Sequence, residues 1–325
     1  MRPATAFLMM QLWAKTGAGG DYLPYMRHPE DIRAVGQRLW DVSLTGRQRA
    51  WIAGELGLSV DDARAWSGFL AAVHDIGKVT SIFQQLAPDL AGRLAPDALL
   101  REAHDAPRVR HDALGGAILR RWAAAHGLDR SVASRLAAAI SGHHGELRSE
   151  SALDGAQCVL DAMPGWAPHQ DAILDQLARV SIEGLPHPTP SVEVITALAG
   201  FVSVADWIAS DASRFPITSA ARPAAADLAV PAVSTGAWSR PSGPGGDADR
   251  ADGDTFAELF GAPDGTPRPP RATQRAVIDA LAEGAAGRLV LIEDRTGSGK
   301  TEAALWVVRR ALQDGARGVY VGLTT

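Results

Sequence analysis

The 325-residue chain has room for two domains, and its 46% hydrophobic and 21% charged residues are those of an ordinary globular protein with a sizeable core. A net charge of -5 supplies no basic surplus, so nucleic-acid binding would have to rest on local clusters. The single cysteine, Cys158, excludes an internal disulfide framework and a cysteine-rich zinc site.

The opening MRPATAFLMMQLWAK has a weak basic end, a short apolar patch and no small-residue cleavage signal. The longest apolar run, Ala197 to Ala205, is too short to cross a bilayer, so a cytoplasmic protein with no membrane contact is expected. Apolar positions at three- and four-residue spacing, as in Ile32, Val35, Leu39 and Val42, predict a first helix. Further helices are predicted over Asp61 to Gly77, Ala113 to His126, Ser131 to Ser141, His169 to Val180 and Ser191 to Ser210. Alternating β-branched runs are scarce, so residues 1–221 read as all-α. Residues 222–255 turn rich in Pro, Gly, Ser, Ala and Asp and read as a linker. In 256–325, RATQRAVIDALAEG reads as a helix, RLVLIED as a buried strand, KTEAALWVVRRALQDG as a helix and GVYVGLTT as a second strand, the start of a parallel sheet.

Three His-Asp doublets stand out: His74-Asp75 mid-helix in an apolar context, His104-Asp105 in polar surroundings, and His111-Asp112, whose aspartate suits the first turn of the next helix. GHHG then sets His143 beside His144, and FVSVADWIAS places Asp206 in an apolar helix. Taken singly, each histidine would be satisfied by a hydrogen bond and Asp206 by an arginine. Together they ask for compensation, because buried imidazoles and carboxylates are expensive unless paired or bound to a metal. Imidazole with carboxylate suits first-row divalent ions, which helix walls can gather.

LVLIEDRTGSGKTEAAL carries a Gly-rich turn ahead of a helix, the setting in which backbone N–H groups cradle phosphates. Thr296, Gly297, Ser298 and Gly299 would form the cradle, Lys300 would reach the β and γ phosphates, and Thr301 would bind Mg²⁺. Asp294 and Arg295 replace the glycine and proline common in such loops, which sets a carboxylate near the triphosphate.

The series His28, His74-Asp75, His111, His143-His144 and Asp206 resembles the ligand set of the HD phosphohydrolase superfamily. More narrowly, HDIGK, RHDALGGAILRRW, GHHG and ADWIASD ahead of a helicase motif resemble the CRISPR-associated nuclease-helicases of type I interference systems. The resemblance implies an all-α HD-domain helical bundle followed by a truncated α/β RecA-like segment. It implies that His28, His74, Asp75 and Asp206 hold one ion and Asp75, His111, His143 and His144 another. The ions would be divalent transition metals: iron(II) or manganese first, cobalt or nickel as alternatives. Pro29, directly after His28, suits a helix start.

Two such ions suit phosphodiester cleavage by an activated water. Lys78 reads equally as a cation for the developing charge and as a solvated lysine at a helix end. Arg108, Arg110, Arg120, Arg121 and Arg148 read on spacing as a solvated helix face and, beside such a site, as a phosphate channel; Trp122 and Trp207 read as core. Gln274 matches the adenine-reading glutamine of superfamily 2 helicases, whose full-length members use ATP with magnesium. With no acidic Mg²⁺ residue or second lobe, this chain is not expected to hydrolyse ATP or unwind DNA.

The resemblance implies a monomeric metal-dependent nuclease for single-stranded DNA, partnered by a crRNA-guided surveillance complex (Cascade). An HD phosphohydrolase for small nucleotides and a non-catalytic nucleic-acid or complex-binding module are the rival readings.

Overall fold

The computed structural model describes residues 12–94, 97–102, 108–179, 184–234, 256–257, 259–262, 266–283, 290–295 and 297–314. The fold divides into two compact units, Met1–Ser239 and Arg240–Thr325. His104-Asp105, Thr296 and GVYVGLTT lie outside the described residues.

The first unit opens on a two-stranded antiparallel hairpin, β1 (Trp13–Thr16) and β2 (Tyr22–Pro24), with Lys15 opposite Leu23 and Thr16 opposite Tyr22. Strands of four and three residues are too short to show an alternation, so the pattern hid them. Trp13 fastens the hairpin to the bundle by donating from Nε1 to Gln84 O at 3.2 Å.

The helices follow as α1 (Arg27–Val42), α2 (Gly46–Leu56), α3 (Val60–Val73), three short segments α4 (Ser81–Gln84), α5 (Pro88–Leu94) and α6 (Asp97–Leu100), then α7 (His111–Ala125), α8 (Arg130–Ser141), α9 (Glu150–Asp161), α10 (Ala167–Arg179), α11 (Val192–Ala209) and α12 (Ala225–Ser234). Ser and Thr side chains set the starts: Thr45 and Gln48 form a capping box on α2, and Ser59, Ser149 and Ser191 accept from the first turns of α3, α9 and α11. Helix α1 buries Ile32, Val35 and Leu39 as its spacing predicts and packs against α3, while α7 packs against α8. Helix α11 lies across α1 and α8 and buries Val194, Ile195, Leu198 and Val202. The whole helix has 18 residues, with Glu193 and Asp206 among them, and is by length and composition apolar enough to cross a membrane, though the run Ala197 to Ala205 alone is not; half of the helix is buried within the protein. Trp66 and Phe69 meet edge to face at 5.5 Å in the core, and Trp122 is buried with Nε1 donating to Asp175. Trp207, expected in the core, is 61% exposed, because it stands one helical step from the inward-facing Asp206.

Two boundaries differ from the sequence expectation. The helix predicted over Asp61 to Gly77 ends at Val73; His74 is its C-cap, and Asp75 opens a 3-10 turn over Ile76–Lys78. The linker expected from residue 222 is helical over Ala225–Ser234, where Ala229, Ala232 and Val233 are buried against α1. Arg222 anchors the approach by donating from Nη2 to both oxygens of buried Asp31 at 2.7 Å. Pro, Gly and Ala content masked three apolar positions that suffice to dock a short helix.

In the second unit, α13 (Ala272–Ala280) and α14 (Lys300–Gln313) share a small core of Phe256, Val277, Ile278, Ala303 and Trp306. The described part of RLVLIED, Val290 to Asp294, is not a strand, and Leu291 is 81% exposed. A buried strand needs a hydrogen-bonded neighbour, and among the described residues it has none. The RecA-like sheet is therefore not formed by the described residues.

Candidate metal centre

Five elements deliver the site. His28 sits in the first turn of α1, where Pro29 interrupts no hydrogen bond because the first N–H groups of a helix have no internal partner. His74 and Asp75 sit where α3 ends. His111 starts α7, and His143 and His144 lie on the 3-10 turn Gly142–His144 that follows α8. Asp206 comes from the last turns of α11. Gly77 permits the close approach of the 3-10 turn Ile76–Lys78 to α7: a Cβ there would run into the backbone carbonyl of His111.

The six sequence-predicted imidazoles and carboxylates around Asp75 converge. Asp75 Oδ2 lies 3.1 Å from His28 Nε2 and 3.4 Å from His74 Nε2, while Oδ1 lies 3.2 Å from His111 Nε2 and 3.8 Å from His143 Nε2. Asp206 Oδ1 stands 3.7 Å from both His28 and His74 Nε2. His144 Nε2 is 3.2 Å from His111 Nε2. His28, His74 and Asp206 thus form one cluster and His111, His143 and His144 another, each with its donor atoms within 4.8 Å of one another.

Orientation is built in. His74 Nδ1 bonds the Ala71 carbonyl at 2.8 Å and His143 Nδ1 the Ile140 carbonyl at 2.5 Å, which turns both Nε2 atoms toward Asp75. His74 Nε2, His143 Nε2 and Asp75 Oδ1 are buried without a hydrogen-bond partner. Buried polar atoms are rarely left so, and orphaned imidazole nitrogens converging with a carboxylate fit a divalent cation.

The electrostatics agree. Burial lowers the His28 pKa to about 3, and burial with the charge on His74 lowers His143 to about 4, so both rings are neutral donors. Burial opposes charge on His74 as well, yet the Asp75 and Asp206 carboxylates outweigh it and raise its pKa to about 10. Burial pushes the Asp75 carboxyl up, but the cations of His74 and Lys78 hold it well below the usual carboxylate range. A cation at His74 shows the field the carboxylates create, one that favours a bound metal ion equally.

Lys78 is not a solvated lysine. It is 7% exposed, its Nζ lies 2.6 Å from Asp75 Oδ2, and it donates to the Ala14 carbonyl at 3.2 Å. Two residues escaped the sequence reading. Lys15 on β1 donates to Ser210 Oγ, and Ser210 in turn donates to Asp206 Oδ1 at 2.7 Å. Alternation within WAKT was the one available signal for Lys15, and it was too short to use.

Three of the five arginines expected to line a channel are committed elsewhere: Arg120 to Asp154 at 2.7 Å, Arg121 to Asp171 at 2.9 Å and Arg148 to Asp112 at 2.8 Å. They tie α7 to its neighbours, because carboxylates distant in sequence fold against them. Arg108 and Arg110 remain exposed beside His111.

In the second unit, Lys300 Nζ folds back onto the carbonyls of Asp294 at 2.6 Å and Arg295 at 2.8 Å, and Gly297 and Gly299 take positive φ. Gln274 is not a free helix-surface residue: it accepts from Arg271 N at 2.9 Å and donates to Gly299 O at 3.1 Å, which ties it to the loop. Thr301 lies in the first turn of α14 and is exposed; Ser298 lies in the turn before the helix. Asp294 bonds Thr273, which lowers its carboxyl pKa.

A helical bundle that gathers a His-Asp doublet, four further histidines from three other elements and a distant aspartate into two adjoining clusters defines an HD-type metal-binding domain. The model of the family "Cas3, HD domain" matches residues 13–215. The chain belongs to the Cas3 HD-domain family. It is 32% identical over 97% of its length to the CRISPR-associated endonuclease/helicase Cas3 of Thermus thermophilus, and it spans about a third of the length of the curated relatives it matches. The crystal structure of the Thermus thermophilus cas3 HD domain in the presence of Ni²⁺ is similar with a TM-score of 0.53 and 28% identity, covering 70% of this chain and 90% of that one. A chain of a CRISPR RNA-guided surveillance complex, pre-nicking, has a TM-score of 0.54 at 24% identity over 93% of this chain and 35% of its own length, a likeness of fold alone.

Proposed function

We propose that this chain is the nuclease portion of a CRISPR-interference protein and hydrolyses the phosphodiester bonds of single-stranded DNA. The observation that carries the reading is Asp75, whose two oxygens face the two histidine sets. His28, His74, Asp75 and Asp206 would hold one divalent transition-metal ion, and Asp75, His111, His143 and His144 a second; iron(II) or manganese is the first choice, with cobalt and nickel suited to the same donors. Such ions supply an activated water and a clamp for the attacking and leaving oxygens.

The chain's own residues then divide the work. The carbonyls of Ala71 and Ile140 hold the imidazoles in register. Burial of His28 and His74 excludes bulk water from one side, while His111 and His144 leave the other side open to a strand. Lys78 stands where its ammonium can meet a non-bridging phosphate oxygen and offset developing charge. The family likeness supports a polynucleotide over a small nucleotide, and it makes a crRNA-guided surveillance complex the proposed partner, in the cytoplasm.

Protein purified without oxygen and loaded with manganese or iron(II) is expected to release fragments from single-stranded DNA. Faster release from deoxynucleoside triphosphates or cyclic nucleotides would favour the small-nucleotide reading. DNA binding that persists without metal, and without any cleavage once metal is added, would reduce the chain to a binding module.

A further inference from the structure

Beside His111 lies a cavity of about 450 Å³, walled by α4 and the chain leading into α7. That volume is within the range of small-ligand sites, roughly 300–1,000 Å³. Its floor is apolar: Phe83, Val109 and Leu114, with Leu86, which is 61% exposed. Its rim is cationic. Arg108 is exposed with no partner among the described residues, and Arg110 spends its Nε alone on Asp112, at 3.2 Å, with its side chain 61% open to solvent. One wall is His111 itself, whose ring lies 5.8 Å from that of Phe83 and whose Nε2 faces Asp75.

An apolar floor, two solvent-exposed guanidinium groups, one of them bound to a carboxylate through Nε only, and a shared wall with the metal donors match one chemical unit: a nucleotide, with a planar apolar base and an anionic phosphate. Neither an apolar peptide side chain nor a lone anion would use both halves. The lining order gives a register: a base against Leu86 and Phe83 would leave its own phosphate toward the arginines of the rim and the adjoining phosphate toward His111, whose ring lies 5.8 Å from that of Phe83.

We infer that this cavity is a subsite for one unstacked nucleotide flanking the scissile phosphate, its base packed on Leu86 and Phe83 and its phosphate held by Arg108 and Arg110. The inference rests on the nuclease reading for its place in the reaction, though binding can be read without cleavage. Sequence preference at the subsite is weak, because packing of a base face on apolar side chains tolerates every base.

The test measures binding of a fluorescent thymidine oligonucleotide by anisotropy and, in parallel, manganese-dependent cleavage of it. The same measurements are made on an oligonucleotide whose bases are all replaced by abasic sites. Metal content and hydrolysis of bis(p-nitrophenyl) phosphate, a diester too small to need the cavity, serve as controls. Arg108→Ala is expected to weaken binding and lower the slope of log affinity against log salt by about 0.7, the value for one single-strand phosphate contact. Leu86→Asp is expected to weaken thymidine binding about tenfold and to abolish the preference of the parent protein for the base-bearing strand. In cleavage both variants should raise KM while kcat and diester hydrolysis hold. Binding by both variants equal to that of the parent, on both oligonucleotides, would overturn the subsite. If the parent protein binds DNA through the cavity but cleaves neither DNA nor diester when loaded with metal, the nuclease reading fails and the subsite stands.

Discussion

Asp75 turns one carboxylate oxygen to each of two histidine sets, Oδ2 at 3.1 Å from His28 Nε2 and Oδ1 at 3.2 Å from His111 Nε2. A side chain so placed cannot be removed without disturbing both sets. Asp75→Ala is expected to lower metal content at both clusters and to reduce manganese-dependent DNA cleavage by at least about a thousandfold, several kcal/mol of lost charge stabilisation. Lys300→Ala, in the other unit, should leave that cleavage unchanged. Metal analysis of the purified variants with a gel cleavage assay checks both, and equal loss in the two would contradict the assignment of cleavage to the first unit.

Ser210 makes a second, quieter claim. It holds Asp206 through a 2.7 Å hydrogen bond and is itself held by Lys15, so the carboxylate that faces His28 and His74 has a fixed rotamer. Ser210→Ala frees that rotamer without changing a donor atom. Affinity for the metal at this cluster should fall about 10- to 100-fold, the usual effect of losing a supporting hydrogen bond. Chelator-competition titration with manganese reads the change, and an unaltered affinity would remove Ser210 from the site's support.

How much of this was legible beforehand depended on residue type. Imidazoles and carboxylates inside apolar runs announced themselves at His74, Asp75 and Asp206, because polarity at a core position contradicts the helix pattern around it. The family likeness supplied His28, which no local pattern singled out. Lys15 and Ser210 were invisible, since they meet across 195 positions and neither is unusual where it stands. Arg120 and Arg121 misled as channel residues because their carboxylate partners are 34 and 50 residues away. Arg222 was hidden by composition: a Pro-, Gly- and Ala-rich stretch reads as linker whether or not a few apolar residues within it find a surface.

Gly77 tests the packing beneath the chemistry. A Cβ there would collide with the His111 carbonyl and stand 2.7 Å from Gly115 N, both backbone atoms that no rotamer change can move aside. Gly77→Ala should destabilise the unit by about 1–3 kcal/mol, as overpacking does, and displace His111 from Asp75. Thermal unfolding should shift down by several degrees, at about 2–4 °C per kcal/mol for a unit of this size. Metal content at the cluster of His111, His143 and His144 should fall more than at the cluster of His28, His74 and Asp206; equal retention at both would show that α7 can retreat without harm.

The last prediction concerns pH and the pair Asp31–Arg222, which fastens α12 to α1. Asp31 is fully buried, and burial pushes its carboxyl up to about 6 against the pull of the Arg222 guanidinium, from an ordinary value of 3.8. A folded-state pKa above the unfolded one means that the folded protein holds a proton the unfolded chain releases between about pH 4 and pH 6. The contribution is complete below that window and is lost as pH rises through it, on the order of 3 kcal/mol for two pKa units. Arg222→Leu removes the cation that hydrogen-bonds both oxygens of this carboxylate and leaves the more distant Lys15. Above the window the variant must bury an unpaired charge, at a cost of about 3–5 kcal/mol, whereas below it the carboxyl is neutral and the guanidinium is missed far less. Urea unfolding at pH 4 and pH 8 should therefore show a much larger destabilisation at pH 8, with the folded carboxyl now titrating above 6. The same loss at both pH values would mean that Arg222 holds the helix by packing and not by its charge.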